Sequence, residues 1–256
     1  MGTYLIYALE VQCEGLLVQV LVNGATVFEE PRAGYRFTQL KVNPYVVDGP
    51  NQIEVLTGPP PGEEVGKDAL LKVMIIKGAH GEQPGPDANV VDFTWNETEH
   101  PLLPDEMTRV HAGPIPVDEG HGRWAWQDAA PYAPEDGGAI AQLVVQAAQA
   151  LAARDPGGYL ALLTTKNEEM GRALDVPAAE LHTDLDAALA ELFAADDWQV
   201  EPVDPARLRY APTAAGRLVR VTDDMGQPPL RGTGGGETFA SDLTVSKLPQ
   251  GWTIVR

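Results

Sequence analysis

With one cysteine, Cys13, in 256 residues, the chain cannot form an internal disulfide, and so the disulfide-rich secreted class is excluded. Cys13 lies in an alternating apolar run and reads as a small buried hydrophobe rather than a nucleophile. No apolar stretch approaches the roughly 20 residues that a membrane-spanning helix needs. Basic residues are scarce: 18 Lys and Arg stand against 37 Asp and Glu, for a net charge of −19. A surface of that sign repels phosphate backbones and excludes nucleic acid as an expected partner. No Lys or Arg precedes Arg32, so the basic n-region of a signal peptide is missing and the chain reads as cytoplasmic. In that compartment the sequon Asn96-Glu97-Thr98 carries no meaning.

Reactive motifs are absent as well. The chain contains no Gly-x-Ser-x-Gly elbow, Cys-x-x-Cys pair or His-Glu-x-x-His helix, which leaves hydrolase, redox and zinc-protease chemistry without a foothold. Gly232-Thr233-Gly234-Gly235-Gly236-Glu237 lacks the Lys-Ser/Thr that ends a P-loop and precedes a strand, so it is expected to be a flexible hairpin connection. His80, His100, His111 and His121 fall in one acidic segment, with His111 and His121 flanking Asp118 and Glu119. Imidazoles and carboxylates can ligate a metal. Here the spacing is irregular and prolines intervene, so they read as solvated loop histidines. The expectation is no metal, no cofactor and no catalytic residue.

What is present reads as two folded halves joined by a linker. Residues 3–12 and 16–22 have strand character, and Asn23-Gly24 is a strong hairpin signal leading to a return strand at 25–29. Tyr35 to Val42 alternates, Asp48-Gly49-Pro50-Asn51 forms a turn, and Gln52 to Leu56 leads out of it. Further strands are expected at 70–77, 90–95 and 107–115. Short strands at this spacing indicate an all-β antiparallel sandwich over residues 1–118. Prolines recur from 84 to 134, and acids outnumber bases 12 to 2 over residues 80–136, so 119–136 reads as a Pro-rich acidic linker. Trp124 and Trp126 within it either offer a ligand platform or, as is commoner, pin the linker to a domain.

Residues 137–153 keep helical spacing through Ile140, Leu143, Val144, Ala147 and Leu151. A short helix over 159–163 and an amphipathic one through Leu181, Leu185, Leu189 and Phe193 follow. The period then changes to two, with strands expected at 198–203, 207–210, 217–222, 237–247 and 252–255. Helices followed by a meandering antiparallel sheet give an α+β second domain over 137–256.

Two resemblances attach to these residues. The Leu21–Val55 stretch, with its Asn-Gly turn and "Asn-Pro-Tyr … Asp-Gly-Pro-Asn-Gln-Ile-Glu-Val", resembles the galactose-binding-like jelly-roll domains found beside catalytic domains in some glycoside hydrolases. Those elements are structural and carry over no sugar-binding residue. The closing "Leu-Thr-Val-Ser-Lys-Leu-Pro-Gln-Gly-Trp-Thr-Ile-Val-Arg", with the helix-then-sheet order, looks like the nuclear-transport-factor-2-like superfamily. That resemblance implies a curved sheet wrapped around helices into a cone with an internal pocket. Its enzymatic members use pocket Asp, His and Tyr groups as acids and bases, and many members are not enzymes. The corresponding pocket candidates are Tyr159, His182, Trp198, Tyr210 and Asp242, and Asp242 stands out because it interrupts an apolar strand.

These readings imply a non-catalytic, acidic interaction protein that meets an unknown protein partner or small ligand through sandwich edges, acidic loops or the C-terminal pocket. Two alternatives are a small-molecule isomerase or lyase working in that pocket and an immunity-type inhibitor of a basic toxin, the latter suggested by charge alone.

Overall fold

The computed structural model describes residues 5–79, 88–117 and 122–256. His80, Asp118, Glu119 and His121 therefore lie outside the described residues. Backbone contacts divide the chain into two compact units, residues 1–123 and 124–256. Four antiparallel sheets and four helices make up the described architecture.

The first unit contains β1 (Leu5–Glu14), β2 (Leu17–Val22), β3 (Ala25–Glu30), β4 (Arg36–Lys41), β5 (Asn51–Gly58), β6 (Leu70–Ala79), β7 (Asn89–Thr94) and β8 (Thr108–Ile115). They form two four-stranded sheets, ordered β4-β1-β6-β7 and β3-β2-β5-β8. Period-two patterning explains the layering. On β1 the side chains of Tyr7, Leu9, Val11 and Cys13 are fully buried, and those between them are half-buried. They join Val18, Val20 and Val22 of β2, Ile53 and Val55 of β5 and Val73 and Ile75 of β6 in one apolar cluster between the sheets. Full burial of such a side chain is worth about 1.5–3 kcal/mol, so this shared interior is what holds the sheets together.

Three asparagines fix the turns. Asn23 and Gly24 both take positive φ, 52° and 77°, the geometry of a type I′ hairpin between β2 and β3. The Asn23 side chain donates to the Tyr45 carbonyl at 2.8 Å and to Asn51 Oδ1 at 2.7 Å, and accepts from the Gln52 amide at 2.9 Å. Asn51 in turn accepts from the Val47 amide and donates to the carbonyls of Val47 and Gly49. Asn43 accepts from the Tyr7 amide at 2.7 Å and donates to the Leu5 carbonyl at 2.9 Å. Asn43 and Asn51 are buried, and each supplies the backbone partners that a non-repetitive turn otherwise lacks.

The second unit opens with two short 3₁₀ turns, Ala125–Asp128 and Pro134–Asp136, followed by α1 (Gly137–Ala152), α2 (Pro156–Leu162), α3 (Thr164–Leu174) and α4 (Ala178–Phe193). Trp124 and Trp126, expected in a linker, are buried within this unit. Helix α3 lies outside the expected helices, because its sequence is polar on average and offers few apolar residues to mark the spacing. Strands β9 (Gln199–Val200), β10 (Arg209–Thr213), β11 (Leu218–Thr222), β12 (Leu230–Gly234), β13 (Glu237–Ser241), β14 (Leu243–Leu248) and β15 (Gly251–Ile254) follow.

Two expectations are corrected here. The strand read over 237–247 is two strands in different sheets: β13 pairs with β12 at the edge of the β13-β12-β9 sheet, and β14 pairs with β11 and β15, with exposed Asp242 at the break. The expected flexible connection over 232–237 begins as strand β12, and only Gly235-Gly236 makes the turn. Glycine is needed within β12 because the Trp198 ring lies against it. A Cβ on Gly232 would meet Trp198 Cη2 at 2.8 Å, and one on Gly234 would meet the Trp198 Cα at 2.9 Å. Ile140, Val144, Ala147 and Leu151 of α1 pack with Leu189, Phe193, Val219, Val221, Leu243, Val245 and Ile254 in a second apolar cluster.

Candidate functional site

The five residues singled out from sequence occupy different surroundings. Tyr159 is 1 % exposed, and its hydroxyl donates to Ser241 Oγ at 3.1 Å; burial pushes its phenol pKa up, and the Ser241 bond offsets part of that. Trp198 is buried and donates its indole N–H to the Leu151 carbonyl at 3.1 Å. The two rings meet through Phe239, at centroid distances of 6.3 and 6.2 Å. Tyr210 lies on β10 and donates to the Gly137 carbonyl at 2.9 Å. His182 is exposed on α4, and Asp242 is exposed beside Ser241. The structure thus brings Tyr159, Trp198 and Phe239 into one core, with Asp242 at its rim. Tyr210 and His182 stand elsewhere.

The same rim carries a charged cluster that sequence reading missed. Lys166 and Glu169 are one turn apart on α3 and share a face. Glu169 accepts from Arg256 and from the Ala125 amide, both at 2.5 Å, and the guanidinium groups of Arg172 and Arg256 lie 4.5 and 5.6 Å from the Trp124 ring centroid. Burial lowers the Lys166 pKa, the Asp242 charge opposes that shift, and Arg256 adds to it. Residues so far apart in sequence, carried by an unanticipated helix, left no spacing signal.

In the first unit, His100 and His111 pack on Phe93 at 5.7 and 4.9 Å. Burial and the neighbouring His100 lower the His111 pKa. Among the described residues no group of three His, Cys, Asp or Glu side chains could hold a metal ion. No helix of the described residues is long and apolar enough to cross a membrane.

The feature of the first unit that differs most from an inert surface is strand β4. Among the described residues of this unit four strands lie at sheet edges: β3, β4, β7 and β8. The pairings of β3, β7 and β8 each contain a register shift, whereas β4 pairs with β1 in unbroken register from Cys13↔Arg36 to Ala8↔Lys41. Bulges twist an edge away from further pairing, and β4 has none. The Val42 amide donates to the Tyr7 carbonyl at 2.8 Å, one step beyond Ala8↔Lys41. Antiparallel alternation then directs the backbone groups of Arg36, Thr38 and Leu40 to β1, and those of Phe37, Gln39 and Lys41 to the open side.

Side chains reinforce the contrast. Tyr35 and Phe37 are 61 % and 58 % exposed, among the most exposed large apolar residues described. Arg32, Arg36 and Lys41 are exposed too, and no acid occurs between Glu30 and Asp48. Glu30 is already bonded to Arg36 at 3.3 Å and to the Arg32 amide at 2.9 Å. In a chain of net charge −19, β4 and the residues leading into it carry three exposed cations and two aromatic rings, with Glu10 of β1 accepting from Gln39 at 2.8 Å on the Phe37 face. No protein-family model, curated protein or solved structure matches this chain.

Proposed function

We propose that this chain is a non-catalytic interaction protein, and that strand β4 with Tyr35 and Phe37 forms its contact surface. The observation that carries the reading is an edge strand in unbroken register, open on one side, with two aromatic rings held in water. Rings of this kind dominate binding energy when a partner covers them. The second unit supports the same reading, since the Tyr159, Trp198 and Tyr210 polar atoms already serve the fold. A cytoplasmic location is part of the same proposal.

Two sheets over one core and the Asn23–Asn51 network support the jelly-roll reading of the first unit. Helices preceding two sheets support the nuclear-transport-factor-2-like cone for the second. The isomerase or lyase alternative draws on the β13–β14 break, where Tyr159 bonds Ser241 and the neighbouring Asp242 acts electrostatically on Lys166.

The test compares proteins retained from a native extract by the wild-type chain and by a Tyr35→Ser/Phe37→Ser double variant, with cross-linking to locate the contact. A partner held by the wild type, lost by the variant and cross-linked within residues 35–41 is expected. Identical retention by both proteins overturns the reading.

A further inference from the structure

We infer that the partner of β4 is an extended segment bearing alternate carboxylates, which adds to the sheet as a strand next to β4. The inference rests on the interaction reading above and specifies both the chemistry and the mode of binding. Three observations converge on it. The backbone N–H and C=O groups of Phe37, Gln39 and Lys41 point to the open side in strand register, which is the hydrogen-bonding template used in strand addition. The strand is six residues long and unbulged, so an incoming segment of that length meets a continuous row of partners.

Charge selects the segment. Arg32, Arg36 and Lys41 give three positive charges with no intervening acid from residue 31 to 47. Arg36 keeps 60 % of its side chain in solvent even while it contacts Glu30. An acidic strand would find a cation at either end of β4, Arg36 on one face of the sheet and Lys41 on the other beside Phe37 and Gln39, whereas a basic one would meet like charge at both. Phe37 stands between those cations, exposed on one face of the sheet, where an apolar residue of the partner can cover it. Period-two alternation then puts the partner's apolar side chains on the Phe37 face and its acids on the opposite face, which Arg36 shares with Thr38 and Leu40.

The probe is an end-blocked, fluorescein-labelled peptide of alternating Glu and Val, as long as β4. The controls are its Lys-Val counterpart and the Glu-Val peptide N-methylated on alternate amides along one edge. Anisotropy titrations at low and high salt are paired with amide shifts of the full-length chain. The Glu-Val peptide should bind at low salt, weaken by about tenfold or more as salt screens the charges, and shift the amides of Phe37, Gln39 and Lys41. The Lys-Val peptide and the Glu-Val peptide methylated on its pairing edge should fail. An Arg36→Gln/Lys41→Gln variant, which puts no new acid beside Glu30, should lose the preference for Glu-Val over Lys-Val while keeping the wild-type circular dichroism. No binding by Glu-Val, equal binding by both methylated and unmethylated forms, or shifts confined to other strands would each overturn the inference. If strand addition fails while a Phe37-dependent partner is still found, the interaction reading survives without it.

Discussion

Replacing Glu169 by Leu tests the account of the second unit most severely. The Glu169 and Arg256 side chains are only 7 % and 5 % exposed, so the substitution leaves a buried guanidinium without its carboxylate. Removing one partner of such a pair costs about 3–5 kcal/mol. The Ala125 amide loses its acceptor too, which adds about 1–3 kcal/mol where no water replaces it. The new Leu recovers part of this by packing beside Trp124, so we expect a net loss of roughly 3–5 kcal/mol. For a unit of this size about 3–4 °C accompanies each kcal/mol, so its melting temperature should fall by roughly 10–20 °C. Tryptophan fluorescence is the appropriate probe, because Trp124, Trp126, Trp198 and Trp252 lie in the second unit and only Trp95 lies in the first. Glu169→Gln keeps an acceptor for the Ala125 amide and should lose less. Replacing both partners, Glu169→Leu with Arg256→Met, should recover stability relative to Glu169→Leu, since no uncompensated charge remains. A Glu169→Leu protein within about 1 kcal/mol of wild type would refute the reasoning, because such a result is typical of exposed pairs.

Three further outcomes are expected. Gly232→Ala should destabilise the second unit by about 1–3 kcal/mol in denaturant titrations, because the added methyl meets Trp198 and the Gln199 carbonyl at 2.8 and 2.9 Å; an unchanged midpoint would show that the Trp198 ring moves freely. Asp136 accepts from Lys247 at 2.6 Å, and that bond first, then the Ala133 amide, holds its pKa below 3.8. A carboxylate depressed in the folded state adds stability above its ordinary pKa and loses it as pH falls through the lower folded value. Lys247→Met should therefore move the acid-unfolding midpoint to higher pH, and an unmoved midpoint counts against the linkage. Burial, helped by Glu30, pushes the Cys13 thiol up to about 11, so iodoacetamide at mildly alkaline pH should label it only after unfolding; rapid labelling of the native protein would contradict its place in the core.

Local rules made much of the first unit legible. Asn23-Gly24 specified a type I′ turn because only residues tolerant of positive φ close a two-residue hairpin, and all eight strands follow stretches of period-two or apolar patterning. The same reasoning located α1 and α4, whose apolar residues recur at helical spacing. It failed at α3, whose polar sequence nevertheless buries Asn167, Glu169, Gly171 and Ala173, a pattern of polar burial that apolar periodicity does not register. It failed also at β12, where glycines suggest a loop until Trp198 is seen to occupy the space that side chains would need. The strand pattern through Asp242 concealed a change of sheet, since alternation describes which face a residue takes and not which strand lies beside it.

The candidate surface divides in the same way. The sequence by itself determined the charge, the scarcity of cysteine, the missing catalytic motifs and the presence of Tyr35, Arg36 and Phe37 in an alternating strand, because composition and periodicity are local properties. Only the tertiary structure decided that β4 is an edge, that its register with β1 is unbroken, and that its aromatic side chains face solvent. It alone decided that Glu169, Arg256 and Trp124 meet. Those facts depend on which strands and helices become neighbours, and that choice is made by burying the apolar faces of the whole unit at once.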